Sequence, residues 1–74
     1  MSHEVTLYTR KSCHLCDDAH ALLVQFGLAP HSIDIDESPE LRRRFDECVP
    51  VVEIDGKIRF RGRIDPVLLR RLLR

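Results

Sequence analysis

The chain carries no net charge: twelve Lys and Arg offset twelve Asp and Glu over 74 residues. That balance argues against a simple binder of nucleic acid. No apolar run approaches the length of a membrane span. The start, Met-Ser-His-Glu, has neither the basic opening nor the apolar stretch of a secretion leader. Cysteine is scarce and odd in number, three in all, unlike a disulfide-stapled secreted scaffold. Together these absences predict a protein of the reducing cytoplasm, with no membrane or nucleic-acid partner. Repeats, low-complexity tracts and linkers are also missing, so residues 1–74 read as one domain, expected to be a monomer. At this size folding buries roughly 60% of the unfolded chain's surface, and each long apolar side chain counts.

What is present has a clear order. Residues 1–37 carry two basic side chains against six acidic ones; residues 38–74 carry ten against six. Such a dipolar surface can steer a partner of one sign onto one face, although most single charges simply solvate helices. Glu4 to Thr9 alternates, with Val5 and Leu7 on one face, and predicts a strand. From Cys13 the period lengthens. Leu15, Ala19, Leu22, Leu23 and Phe26 form an amphipathic helical stripe that Gly27 is placed to end.

After Pro30, the segment His31 to Asp36 sets Ile33 and Ile35 on one face, predicting a second strand. Ser38-Pro39-Glu40 is a helix start, with Leu41 and Phe45 as the inward residues. Val51 to Ile54 and Lys57 to Phe60 flank Asp55-Gly56, a hairpin signal. Asp65-Pro66 opens a last helix, with Leu68, Leu69, Leu72 and Leu73 assigned to its inner side. The predicted order is β-α-β-α-β-β-α, an α/β domain with a four-stranded mixed sheet flanked by three helices.

The chemistry concentrates in Cys13-His14-Leu15-Cys16, between the first strand and the first helix. Cysteines three apart on a helix are neighbours on one face and close a disulfide with slight adjustment. Cys13 falls at the helix start, where unpaired backbone N–H groups and the positive dipole end favour a thiolate. Lys11 and Arg10 add positive field just upstream. These features predict a thiol more acidic than a free one, making Cys13 the nucleophile and Cys16 the resolving thiol.

A structural or half-metal role is the other reading of the pair. Zinc usually takes four ligands, and beyond Cys48 and His20, at Cys16-x3-His20, the chain offers few. No bound metal is expected. Of the four prolines, Pro39 and Pro66 start helices and Pro30 follows one, which leaves Pro50, in Cys48-Val49-Pro50-Val51, without a local role.

Strand, Cys-x-x-Cys, helix, strand, helix, Val49-Pro50 and hairpin, then Gly62 and a capped helix, resemble a glutaredoxin-like protein of the thioredoxin-fold superfamily. The resemblance implies sheet order 2-1-3-4, with the first and last helices on one face. It implies a cis Val49–Pro50 bond facing the cysteine pair, with the Val49 main chain offered to substrate. Lys11 matches the family's lysine ahead of the cysteines. Gly62 and Asp65 match two positions of its Gly-Gly-x-x-Asp segment, whereas Arg61 stands where the first glycine would be. Cys48 replaces a common threonine, and His14-Leu15 replaces the usual middle residues. His14 reads as a solvent-facing side chain or a cation tuning the pair. Cys48 reads as an inert small hydrophobe or a third redox thiol.

The resemblance implies a thiol–disulfide oxidoreductase of cell redox homeostasis. It would act on glutathione or protein disulfides, with glutathione or a thioredoxin reductase as electron source and no bound cofactor. The alternative is a non-catalytic thioredoxin-fold binding module, or a glutathione-assisted iron–sulfur or metal carrier.

Overall fold

The computed structural model describes residues 3–45 and 48–73. Strand β1 (Val5–Thr9) leads into helix α1 (His14–Gln25), then strand β2 (His31–Asp34) and a 3₁₀ turn (Ile35–Glu37). Helix α2 (Pro39–Phe45), the hairpin of β3 (Val51–Ile54) and β4 (Lys57–Arg61), and helix α3 (Pro66–Leu72) follow. The sheet order is β2-β1-β3-β4. β1 runs parallel to β2 and antiparallel to β3, which runs antiparallel to β4. Element order and sheet order both match what the resemblance implies.

Side-chain alternation divides the core into two layers. On one face Val5 and Leu7 of β1, Val52 and Ile54 of β3 and Phe60 of β4 pack against Ala19 and Leu23 of α1 and Leu69 of α3. On the other, Tyr8 and Val51 meet Ile35 and Phe45, with Leu41 of α2 alongside. The first and last helices therefore share a face, and α2 covers the opposite one. Tyr8 and Phe45 stack with ring centroids 4.7 Å apart, and Arg44 lies 4.6 Å over the Phe45 ring.

Local chemistry sets the element ends. Gly27, at φ 82°, follows the last turn of α1; its N–H and that of Leu28 donate back to Val24 and Leu23 carbonyls, a Schellman closure. The Ser38 hydroxyl accepts the Leu41 N–H at 3.4 Å, so the expected start of α2 holds. Asp65 caps α3 by accepting the Val67 N–H at 2.9 Å. Asp55 and Gly56 both take positive φ, 52° and 86°, which a two-residue turn between twisted strands requires.

Three expectations are corrected. The strand expected over His31 to Asp36 stops at Asp34, because the Asp34 carboxylate accepts the Asp36 N–H at 2.9 Å and folds the chain into the 3₁₀ turn. Ile35 is still fully buried, but from the turn. Leu15 and Leu68, both assigned to inner helix faces, are 42% and 48% exposed. The expected α1 stripe otherwise holds, with Ala19 and Leu23 buried and Leu22 and Phe26 packed against the core, and Cys16 takes the buried place given to Leu15. In α3 Leu69 is the buried anchor, with Leu72 packed alongside.

Candidate functional site

Strand register gathers the chemistry at one end of the sheet. Tyr8 pairs with Val51, so the chain leaving β1 and the chain entering β3 meet there. Val51 in turn pairs with Arg61, the last residue of β4. The loop carrying the cysteines, the Val49-Pro50 segment and the turn at Gly62 therefore share that end.

The left-handed conformation of Ser12, φ 58°, turns the chain out of β1 so that Cys13 becomes the N-cap of α1. Cys13 has an extended backbone, and its Sγ accepts the Cys16 N–H at 3.1 Å. A sulfur thus fills the place where serine or aspartate commonly caps a helix. Cys13 and Cys16 are joined as a disulfide, with Cα atoms 5.2 Å apart. Cys13 is half-buried, whereas Cys16 is 2% exposed beneath the first turn. Of the two, Cys13 is the more open to solvent.

Lys11 and His14 are exposed on either side of Cys13. Arg10 is drawn away from the pair: its guanidinium donates to both Asp36 carboxylate oxygens, at 3.0 and 3.2 Å, and Arg42 joins the same carboxylate at 3.5 Å. The sequence shows no signal for that ion pair, because the two residues meet only through the parallel pairing of β1 and β2.

The Val49–Pro50 bond is cis. Pro50 is fully buried and Val49 half-buried. The Gly62 N–H reaches the Pro50 carbonyl at 2.7 Å and the Cys48 carbonyl at 3.2 Å, tying the end of β4 to this segment on both sides of Val49. Among the described residues, no backbone hydrogen bond engages Val49 itself. Cys48 is half-buried against the α2-side cluster.

Gly62 needs its positive φ of 80°, not extra room, since a Cβ there would meet nothing within 4 Å. It lines a groove beside the cysteines, formed by Leu15, Asp18 and Leu22 of α1 and by Gly62, Arg63 and Ile64 of the β4–α3 loop. Sequence periodicity missed this groove by turning Leu15 inward. Counting the helical period from Cys16 instead would have set Leu15 at its rim. Asp65 follows directly, its carboxylate committed to the α3 cap. Arg61 is exposed and does not line the groove. Cys16 is buried and joined to Cys13, while His20, one turn further along α1, is exposed. Among the described residues no three His, Cys, Asp or Glu side chains cluster as metal ligands, and no helix is long and apolar enough to cross a membrane.

Known proteins share this fold. The sequence matches the Glutaredoxin-like domain (DUF836) family over residues 4–74. Protein XcR50 from X. campestris is similar at 37% identity and a TM-score of 0.79, covering 93% of each chain. Protein Ne2328 from Nitrosomonas europaea superposes with a TM-score of 0.86 at 23% identity, covering 97% of this chain and 92% of its own. Glutaredoxin C1 from populus tremula x tremuloides, in its holo form, shares the fold at 23% identity and a TM-score of 0.67, over 93% of this chain and 74% of its own. No curated protein matches the sequence. With the family pattern spanning all but the first three residues, and the fold shared from end to end, the chain belongs to the glutaredoxin-like domain family.

Proposed function

We infer that the protein is a thiol–disulfide oxidoreductase working through Cys13 and Cys16. The observation that carries this reading is the asymmetric pair: a half-exposed Cys13 sulfur at a helix N-cap, hydrogen-bonded by the Cys16 N–H, backed by a buried Cys16. In the reduced protein the same N–H and the open end of α1 favour the Cys13 thiolate.

That thiolate attacks one sulfur of a substrate disulfide. The Cys13–substrate bond forms as the substrate S–S bond breaks, and the departing thiolate takes up a proton. Cys16 then gives up its proton and attacks the Cys13 sulfur, expelling the second substrate thiol. Two electrons pass to the substrate and the Cys13–Cys16 disulfide remains. Two molecules of glutathione, or the dithiol of a thioredoxin reductase, return the pair to its reduced form. Val49, whose main chain is open, is the docking strand for glutathione or a peptide. Lys11, His14 and the groove at Gly62 supply its surroundings, and Asp65 shapes the groove by holding the start of α3. Glutathione and protein disulfides are the proposed substrates, and the cytoplasm the proposed compartment.

Replacing each cysteine in turn tests the assignment. Cys13→Ser should abolish reduction of every disulfide, because a serine hydroxyl is not ionised near neutral pH. Cys16→Ser should still attack but should accumulate mixed disulfides, retaining turnover only where free glutathione completes the second step. Undiminished activity in Cys13→Ser would overturn the mechanism. A brown, visibly absorbing preparation would point to the carrier alternative.

A further inference from the structure

The β4–α3 side of the molecule carries features that the redox site does not use. From Gly56 onward the sequence holds seven basic side chains against a single acid, Asp65. The Asp65 carboxylate is already accepting the Val67 and Leu68 N–H groups. β4 is an edge strand, and its pairing with β3 jumps from Val52–Phe60 to Glu53–Ile58. Arg59 is the extra residue of this bulge. Bulges re-aim side chains. Here Phe60 joins the α3-side core while Ile58 joins the opposite layer.

Arg59 lines a cleft of about 270 Å³ with Phe60 and, from α3, Leu68, Arg71 and Leu72. Leu68 and the adjacent Val67 are 48% and 60% exposed. Among the described residues neither Arg59 nor Arg71 is in an ion pair. The cleft is therefore an apolar floor with a guanidinium group at each side, Arg71 on α3 and Arg59 on β4, the latter also within the field of the Asp55 carboxylate.

We propose that this cleft docks an acidic, leucine-bearing segment of the disulfide-carrying partner protein, the apolar side chain entering between β4 and α3 and the carboxylates meeting Arg59 and Arg71. The proposal rests on the redox reading for the partner's disulfide, but the docking itself does not. Three physical points select this occupant. The cleft is smaller than the usual pocket for a whole small molecule, and suits one or two side chains. Phe60 and Tyr8 are buried, so no described aromatic ring stands exposed here for stacking on nucleic-acid bases. A concave apolar floor gives a side chain contacts that a flat lipid surface does not.

The cleft also lies within reach of the chemistry. Arg59 is three residues from Gly62, about 10 Å along a strand, and Gly62 is hydrogen-bonded to the Pro50 carbonyl. A partner segment anchored in the cleft and running along the β4 edge reaches the Gly62–Pro50 end of the sheet, where the cysteine loop lies, after about three extended residues.

A cysteine-free fluorescent peptide of glutamates with two leucines four apart, read by anisotropy against the intact protein, tests the docking. Arg71→Glu and Leu68→Ser, both at exposed positions, should each weaken binding about fivefold or more. Arg43→Glu, an equal charge change on exposed α2, should leave it within about twofold. A leucine-free peptide should bind as weakly as the Leu68→Ser pairing. Equal losses in Arg43→Glu and Arg71→Glu, or equal binding of the leucine-free peptide, would show charge attraction alone and overturn the proposal. So would tighter binding to phosphatidylserine vesicles than to the peptide, or self-association that excludes it.

A second arm joins the peptide to a small disulfide through a four-residue spacer. The reduced protein should reduce it about fivefold faster than the untailed disulfide, and Arg71→Glu should erase the difference. Equal rates overturn the link between docking and catalysis. Failure to reduce either disulfide, with peptide binding intact, would instead remove the redox reading.

Discussion

Cys13 shows how far one residue's role depends on its neighbours. Its sulfur accepts the Cys16 N–H and lies at the open end of α1, both of which favour a negative charge there once the disulfide is reduced. Cys13 should therefore be alkylated faster than a free thiol at pH 7, with its rate holding up toward lower pH; Cys16, 2% exposed, should react last. Iodoacetamide labelling followed by mass spectrometry across pH 5–9 reads both rates.

Tyr8 carries a second residue-scale prediction. Burial foremost, and then the Glu53 carboxylate, raise its phenol above the ordinary value, with Arg44 opposing. A raised value in the folded state means that folding prefers the neutral phenol. Its stabilising contribution is complete below the unfolded value near pH 10 and declines as pH rises through the folded value. Thermal midpoints between pH 8 and pH 11.5 should fall less in Tyr8→Phe than in the parent. At the opposite end of the sheet from the cysteines, the His3 side chain and the Glu4 N–H donate to Asp55 at 2.7 and 2.9 Å and lower its carboxyl below the usual range. That contribution stands at neutral pH and is lost only as acid protonates Asp55 below the ordinary carboxylate range.

Among the elements, caps and turns hold the short pieces in place. α3 is seven residues long, too short to persist without tertiary packing, and the Asp65 carboxylate satisfies two of its free N–H groups. Asp65→Ala should cost about 1 kcal/mol in urea unfolding. If it costs nothing, the cap is decorative. Gly56→Ala places a Cβ at φ 86° and should cost about 1–2 kcal/mol although nothing crowds it.

These features were legible because they are local. Asp-Gly makes a turn, Asp-Pro and Ser-Pro start helices, and Gly27 ends one, through atoms only a few residues apart. The end of β2 was less legible. Ile33 and Ile35 keep strand spacing, but the Asp34 side chain competes for the backbone and wins at Asp36. The inward faces of the helices were legible except at Leu15 and Leu68: the three leucines of α3 offer more than one apolar stripe, and only packing buries Leu69 and leaves Leu68 exposed.

For the molecule as a whole, that choice becomes a stability contrast. Leu69 is fully buried between α1 and the sheet, whereas its neighbour Leu68 is 48% exposed. Leu69→Ala should cost about 2–5 kcal/mol, enough to unfold much of so small a domain at physiological temperature. Leu68→Ala should stay within about 0.5 kcal/mol. Circular dichroism melts of the two variants make the comparison, and equal losses would contradict the assigned packing.

By itself, the sequence determined the kinds and order of the elements and the placing of a Cys-x-x-Cys pair at the start of the first helix. Those follow from hydrophobic period, turn chemistry and the special electrostatics of a helix start, all set within a few residues. Only the tertiary structure decided what meets what. The pairing of β1 with β3 and of β3 with β4 brought Cys13, Pro50 and Gly62 to one end across gaps of 37 and 12 residues. It also withdrew Arg10 to Asp36, and a single bulge turned Arg59 toward α3. Register and bulges depend on how two faces of a sheet are buried at once, and no short stretch of sequence carries that information.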